Sequence, residues 1–158
     1  MASSAFPREI GHPASKVDAR LLLIDDDSDD VRLIARLLEQ APISVSITAV
    51  ENGRAALDHL DGLSGLDDPR APDLIILDIN MPVMNGTHFL SALRRHPVFR
   101  AAPVVALTTS TDVETIRRAY DFGANAVVNK VDSLEGMSAI VNTIVDFWFK
   151  IARRYYLD

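Results

Sequence analysis

Three short runs of this chain are apolar for nearly their whole length: RLLLI at 20–24, DLIIL at 73–77 and PVVAL at 103–107. A strand with one wet face alternates polar and apolar residues, so a run without alternation reads as a strand buried on both faces. Between these runs the apolar spacing changes to that of a helix. Val31, Ile34, Leu37 and Leu38 recur at helical spacing over 31–38, and Ala56, Leu57 and Leu60 share a face of 52–60. Residues 87–93 form another short helical pattern, and 112–120 turns Ile116 and Ala119 inward. The run ISVSITAV at 43–50 alternates with period two and predicts a strand nearer an edge, while 125–128 reads as a last short strand. From Ser133 a long helix is expected to reach about Tyr155.

The pattern is five successive β-α units. Strands joined through helices run parallel, because a crossover is needed to return to the same end of the sheet. The expected architecture is an α/β three-layer sandwich around a five-stranded parallel sheet of order 2-1-3-4-5, with an extended C-terminal helix. Residues 1–18, rich in Ala, Ser and Pro without periodicity, are expected to be a flexible N-terminal arm. The domain proper spans 19–150, and 151–158 extends the last helix.

In such sheets ligands sit outside the carboxyl ends of the strands, where the strand order reverses. The first strand runs into Asp25-Asp26-Asp27-Ser28-Asp29-Asp30, the third ends at Asp78, the fourth at Thr108, and the fifth at Asn129-Lys130. Crowded carboxylates repel one another unless a cation holds them together. Oxygen ligands without nearby His or Cys suit Mg²⁺, which takes few protein ligands and keeps several waters. Carboxylates, a divalent cation, a hydroxyl and an amine together describe a site for a phosphoryl group, with Asp78 as nucleophile. Asp27, Asp29 and Asp30 read instead as the acidic start of a helix, where the helix dipole favours them.

Composition removes other classes. The chain has 22 acidic and 16 basic residues, a formal charge of −6, which leaves no basic nucleic-acid footprint. It has no cysteine, hence no disulfide framework, thiol chemistry or Cys-ligated zinc. No apolar run approaches the roughly 18 residues of a membrane span, and MASSAFPREIGHPASK lacks the apolar core of a secretory signal. A soluble, cytoplasmic domain is expected. His12, His59, His88 and His96 lack the spacing of metal ligands and are expected at the surface or partly packed.

With these residues in register, the chain resembles the receiver domain of two-component response regulators over roughly 19–150, a flavodoxin-like fold. The motifs that carry the resemblance are Asp25-Asp26, LIILDINMPVMNG at 74–86, VVALTTS at 104–110 and the lysine after AVVN. The intervals, 30 residues from Asp78 to Thr108 and 22 from Thr108 to Lys130, match those of the family. The resemblance implies that Asp78 is phosphorylated by a sensor histidine kinase. It also implies that Asp26 and Asp78 bind Mg²⁺ directly, Asp25 through water, and Asn80 by its backbone carbonyl. Thr108 and Lys130 would contact the phosphoryl group. The stretches DxxDVRLI (27–34), LTTS and DFWFK (146–150) look most like stand-alone receivers that partner bacterial phytochromes.

The sequence departs from the family at two positions. Val131 follows the lysine where Pro joined by a cis bond is usual; cis before Val costs about 2.5–4 kcal/mol, so a trans bond is expected. Val127 stands where many receivers carry an aromatic that swings inward on activation. Asn85-Gly86 reads as a turn with no further role. Residues 61–72 (DGLSGLDDPRAP) lead from a helix into a strand, at the sheet end opposite the site, and read as a tolerated insertion. On the closing helix, Met137, Val141, Ile144, Trp148, Ile151 and Tyr155 form one apolar stripe. Val145, Phe149, Ala152 and Tyr156 form a second. Two stripes predict a homodimer on this helix, with Phe147, Trp148, Phe149 and Tyr156 at the interface.

The favoured function is a phosphoacceptor signalling module, not an enzyme acting on other substrates. A phosphate-insensitive dimeric adaptor is the alternative, suggested by Val127 and Val131. An aspartyl-phosphate phosphohydrolase on a similar fold is disfavoured, because Asn80 stands where its general acid would be and Pro82 where a hydroxyl is usual.

Overall fold

The computed structural model describes the backbone of residues 8–10 together with residues 18–81 and 84–154. Six strands are present among these: β1 (Arg8–Ile10), β2 (Ala19–Ile24), β3 (Val45–Val50), β4 (Leu74–Asp78), β5 (Val104–Thr108) and β6 (Ala126–Asn129). The helices are α1 (Ser28–Glu39), α2 (Gly53–Asp61), α3 (Gly86–Arg94), α4 (Val113–Asp121) and α5 (Leu134–Ile144), with a π-helical segment Val145–Ile151 continuing α5.

The sheet order is β1-β3-β2-β4-β5-β6. Its five strands from β3 to β6 are parallel and reproduce the expected 2-1-3-4-5 arrangement. The addition is β1, which lies inside the stretch read as an arm and pairs antiparallel with β3, Arg8 opposite Ala49 and Ile10 opposite Ile47. Residues 1–7 and 11–17 of that arm lie outside the described residues. Because β1 covers β3, the alternating run lies near the edge, as its pattern suggested, but second from it.

Both faces are covered, which explains the uniformly apolar strands. Leu22, Ile24, Ile75, Leu77, Val104 and Ala106 pack under α2, α3 and α4 with Leu60, Phe89, Leu90 and Leu93. Leu21, Leu23, Leu74, Ile76, Val105 and Leu107 pack under α1 and α5 with Ile34, Leu38, Met137, Val141 and Ile144. Each α-helix starts on a side-chain cap: Asp27, Asn52, Asn85, Asp112 and Ser133 accept backbone N–H groups of the first turn.

The closing helix differs from the expected single α-helix to Tyr155. From Val145 it widens to the i→i+5 bonding of a π-helix, and the Ala152 N–H donates to the Phe147 carbonyl at 2.7 Å. The wider turn rotates the buried stripe. Val145 and Phe149 are buried after Ile144, Trp148 is only half-buried, and Ile151 is 72% exposed. Read at α-helical spacing, the stripe therefore breaks at Ile151, while Trp148 still packs half-buried against the core; Tyr155 lies outside the described residues.

Residues 61–72 fold around one buried carboxylate. Asp68 accepts from the Ser64 N–H and hydroxyl and from the Arg70 N–H, Nε and Nη2, and these bonds hold its carboxyl well below the usual range. The segment returns to the sheet at Asp73, which accepts the Arg20 N–H at 2.7 Å and lies 3.6 Å from Arg154 Nη1. This is the amino end of the strands, as expected.

Arg94, at the end of α3, carries the contacts between α3 and the turn before β6. Its guanidinium donates to the carbonyls of Arg100, Ala102 and Gly123 and to Asn125 Oδ1. Asn125 Oδ1 also accepts the Val104 N–H. Arg94→Met keeps the apolar stem and removes every donor. A loss of about 2–3 kcal/mol is expected, or roughly 5–10 °C in Tm by calorimetry.

Candidate functional site

The carboxyl ends of β2, β4, β5 and β6 deliver Asp25, Asp78, Thr108 and Lys130 to one edge of the sheet. β2 and β4 are hydrogen-bonded neighbours with Ile24 opposite Leu77, so the next residues, Asp25 and Asp78, emerge side by side. One carboxylate oxygen from each of Asp25, Asp26 and Asp78 lies within 4.8 Å of the others. Asp25 and Asp78 are buried and Asp26 is exposed.

Two backbone donors fix the buried pair. The Asp27 N–H donates to Asp25 Oδ1 at 2.9 Å, and the Asn80 N–H to Asp78 Oδ1 at 3.2 Å. The Lys130 ammonium reaches in from the β6 end, 3.2 Å from Asp25 Oδ2 and 3.7 Å from Asp78 Oδ2. It approaches Asp30 Oδ2 most closely, at 2.8 Å. Asp30 was expected only to start a helix; the structure makes it part of the site. The first turn of α1 lies over the strand end, so the residue five after Asp25 faces Lys130. The two positions shared one sheet end in the sequence, but the reach of Lys130 was not readable there.

Burial pushes the Asp78 carboxyl up to about 7, helped by the charge of Asp25 and opposed by Lys130. Burial likewise raises Asp25, against the Asp27 N–H and Lys130. For Lys130, desolvation works against the charge, yet the Asp30 hydrogen bond and the carboxylates lift it above its ordinary range. Among the described residues, Lys130 is the one ammonium set against Asp25, Asp30 and Asp78, with Asp26 beside them. Clustered hard oxygens with surplus negative charge are the donor set of a small divalent cation, so the residues fit Mg²⁺. Asp25, Asp26 and Asp78 would hold it, with the Asn80 carbonyl as a further donor.

Thr108 is fully buried, and its Oγ1 accepts the Ser110 N–H at 3.0 Å. The Asn129 side chain donates to the Ser110 carbonyl at 2.6 Å, so β6 fixes the loop that carries this hydroxyl. No cis peptide occurs among the described residues, and Lys130–Val131 is trans. Val127 is half-buried, and its N–H donates to the Tyr120 hydroxyl at 3.2 Å, which ties β6 to α4.

Asn85-Gly86 has a role that its turn chemistry did not show. Asn85 caps α3 by accepting the His88 N–H, and Gly86 lies against the chain leaving Asp78. His96 is buried: its Nδ1 accepts the Val98 and Phe99 N–H groups, so Nε2 carries the hydrogen that faces Asp61 at 2.9 Å.

The residues expected at a dimer surface are distant from this cluster and differ among themselves. Phe149 is 9% exposed and belongs to the protein's own core, so it offers no anchor to a partner. Phe147 is 48% exposed and meets Trp148 edge-to-face at 5.0 Å. Tyr156 lies outside the described residues.

Comparison with known proteins follows the same lines. Residues 21–142 match the family model described as response regulator receiver domain. The chain is 34% identical over 128 residues to the probable methanogenesis regulatory protein FilR2 of Methanothrix harundinacea, covering 81% of this chain and 82% of that one. The phosphorylated cyanobacterial phytochrome response regulator RcpA superposes with a TM-score of 0.78 at 30% identity, over 85% of this chain and 96% of that one. The Mn²⁺-bound form of response regulator Rcp1 superposes at 0.76 and 29% identity, over 86% and 98%. Response regulator Rcp1 of Synechocystis is a relative in sequence as well.

Proposed function

The chain belongs to the response regulator receiver family, and from that membership we propose that it accepts a phosphoryl group on Asp78 from a sensor histidine kinase in a Mg²⁺-dependent reaction. The observation that carries this reading is the convergence of Asp25, Asp26 and Asp78 within 4.8 Å, with the Lys130 ammonium 3.7 Å from Asp78.

An Asp78 oxygen attacks phosphorus of the kinase phosphohistidine. The P–N bond breaks with its electron pair returning to the imidazole, and an acyl phosphate forms on Asp78. The Asn80 N–H holds the other Asp78 oxygen and so orients the attacking one. Lys130 pairs with a phosphoryl oxygen, and Thr108, whose oxygen accepts from Ser110, keeps its hydroxyl proton to donate to another. Mg²⁺ bound by the three carboxylates would neutralise charge on the phosphoryl group.

The signal leaves through protein contacts, since the new group adds about −1.5 to −2 charges to a site already rich in carboxylates. The similarity to RcpA, a phytochrome response regulator, supports a phytochrome-type kinase as the partner. No helix among the described residues is long and apolar enough to cross a membrane, and a cytoplasmic site of action suits such a kinase. Exposed Phe147 and Ile151, beside half-buried Trp148, support a second copy of the chain as a further partner.

Intact-protein mass after incubation with Mg²⁺ and acetyl phosphate or phosphoramidate tests the acceptor. One phosphoryl adduct is expected on the wild type, none on Asp78→Asn, and none when EDTA is added first. An adduct on both proteins would remove Asp78 from the role. No adduct on either, even with a kinase, would favour the phosphate-insensitive adaptor with altered Val127 and Val131. Light scattering on the same samples tests the dimer, and a mass of 17.3 kDa with and without donor would exclude it.

A further inference from the structure

We propose that Asp30 is a positioning residue that holds the Lys130 ammonium in the unphosphorylated protein and competes with the phosphoryl group for it. This rests on the reading of Asp78 as acceptor. Lys130 Nζ lies 2.8 Å from Asp30 Oδ2, 3.2 Å from Asp25 Oδ2 and 3.7 Å from Asp78 Oδ2, so the ammonium is drawn toward α1 and away from Asp78.

The three carboxylates that surround Lys130 are not equivalent. Asp25 and Asp78 belong to the group whose oxygens converge for a cation, and each is also held by a backbone N–H. Asp30 is outside that group. Once a cation takes the oxygens of Asp25 and Asp78, and a phosphoryl group sits on Asp78, Asp30 is the carboxylate left to contest the ammonium.

Its surroundings suit a hold that can be released. The Asp25 side chain is 2% exposed, whereas that of Asp30 is 36% exposed, so water can replace Lys130 on Asp30 at low cost. The backbone of Asp30 is anchored, since its N–H lies 3.4 Å from the capping oxygen of Asp27. Only the side-chain contact need change. Asp29 is the contrast: also an aspartate and one residue earlier, it faces solvent and reaches Arg32 at 3.9 Å.

Two readouts test this on the full chain with Asp30→Asn and Asp30→Glu. The first is affinity for beryllofluoride with Mg²⁺, a phosphoryl mimic that needs no transfer step, measured by titration calorimetry. Asp30→Asn is expected to bind about 2- to 5-fold tighter than wild type, the range expected for losing one partly exposed ion pair. Asp30→Glu is expected to return to near the wild-type value. The second readout is the ammonium resonance in protein labelled with ¹⁵N-lysine, which contains only Lys16, Lys130 and Lys150. Without any ligand, Asp30→Asn should move the Lys130 signal, assigned by its loss in Lys130→Met, and Asp30→Glu should restore it.

Equal or weaker beryllofluoride binding by Asp30→Asn would overturn the proposal, as would an unmoved Lys130 signal. If the wild type binds no beryllofluoride, the acceptor reading fails instead, and the ammonium signal alone then decides whether Asp30 holds Lys130.

Discussion

Asp78→Asn is expected to be more stable than the wild type at pH 8 without divalent cations, by about 2–4 kcal/mol, or roughly 5–12 °C in Tm. The reason is the position of a group meant to react. Burial, with Asp25 alongside, lifts the Asp78 carboxyl from an ordinary 3.8 to about 7. The folded protein therefore binds this proton more tightly than the unfolded chain, and stability from this group is lost as pH rises between those values. A displacement of that size corresponds to about 4 kcal/mol as a ceiling, reached above pH 7 and absent below pH 4. Asparagine keeps the shape, can accept the Asn80 N–H and carries no charge to desolvate. The gain over wild type should thus grow from pH 4 to pH 7 and then level off. Millimolar Mg²⁺ should shrink it, because the cation binds the folded wild type. Melting curves across pH check this; a variant less stable than wild type at pH 8 would contradict the burial assigned to Asp78.

Gly86→Ala is expected to cost about 2–3 kcal/mol, although alanine favours helices by about 1 kcal/mol over glycine. A Cβ at Gly86 would lie 2.7 Å from Ile79 Cα, 3.1 Å from the Asp78 carbonyl and 3.2 Å from the Ile79 carbonyl. All three are backbone atoms, so no side chain can turn aside. The Gly86 N–H also donates to the Ile79 carbonyl at 2.8 Å, which fixes α3 against the chain leaving the site. Relief of the clash must move Ile79 and Asn80, so weaker Mg²⁺ binding should accompany the lower Tm. Gly62→Ala is the control. There the nearest atoms are 3.5 Å away and φ is −79°, so alanine fits and stability should be unchanged or slightly higher. Chemical denaturation of the two variants side by side checks the pair.

The parallel sheet was legible in the residues alone, because a strand buried on both faces must be apolar throughout and a parallel neighbour must follow a crossover. RLLLI, DLIIL and PVVAL could be read this way without coordinates, and their carboxyl ends located Asp25, Asp78, Thr108 and Lys130. Local chemistry was equally legible in the acidic start of α1 and the Ser133 cap of α5. The added strand β1 was not, since three residues carry no periodicity and their pairing depends on the open edge of β3. The turn of Phe149 into the core was hidden too. A helical wheel assumes one residue spacing, and the π-helical segment changes that spacing after Ile144. The further roles of Asp30 and Gly86 were hidden for a related reason. Their roles depend on what lies across from them, Lys130 100 residues away and the backbone of Ile79, and only the packed molecule brings those groups within contact.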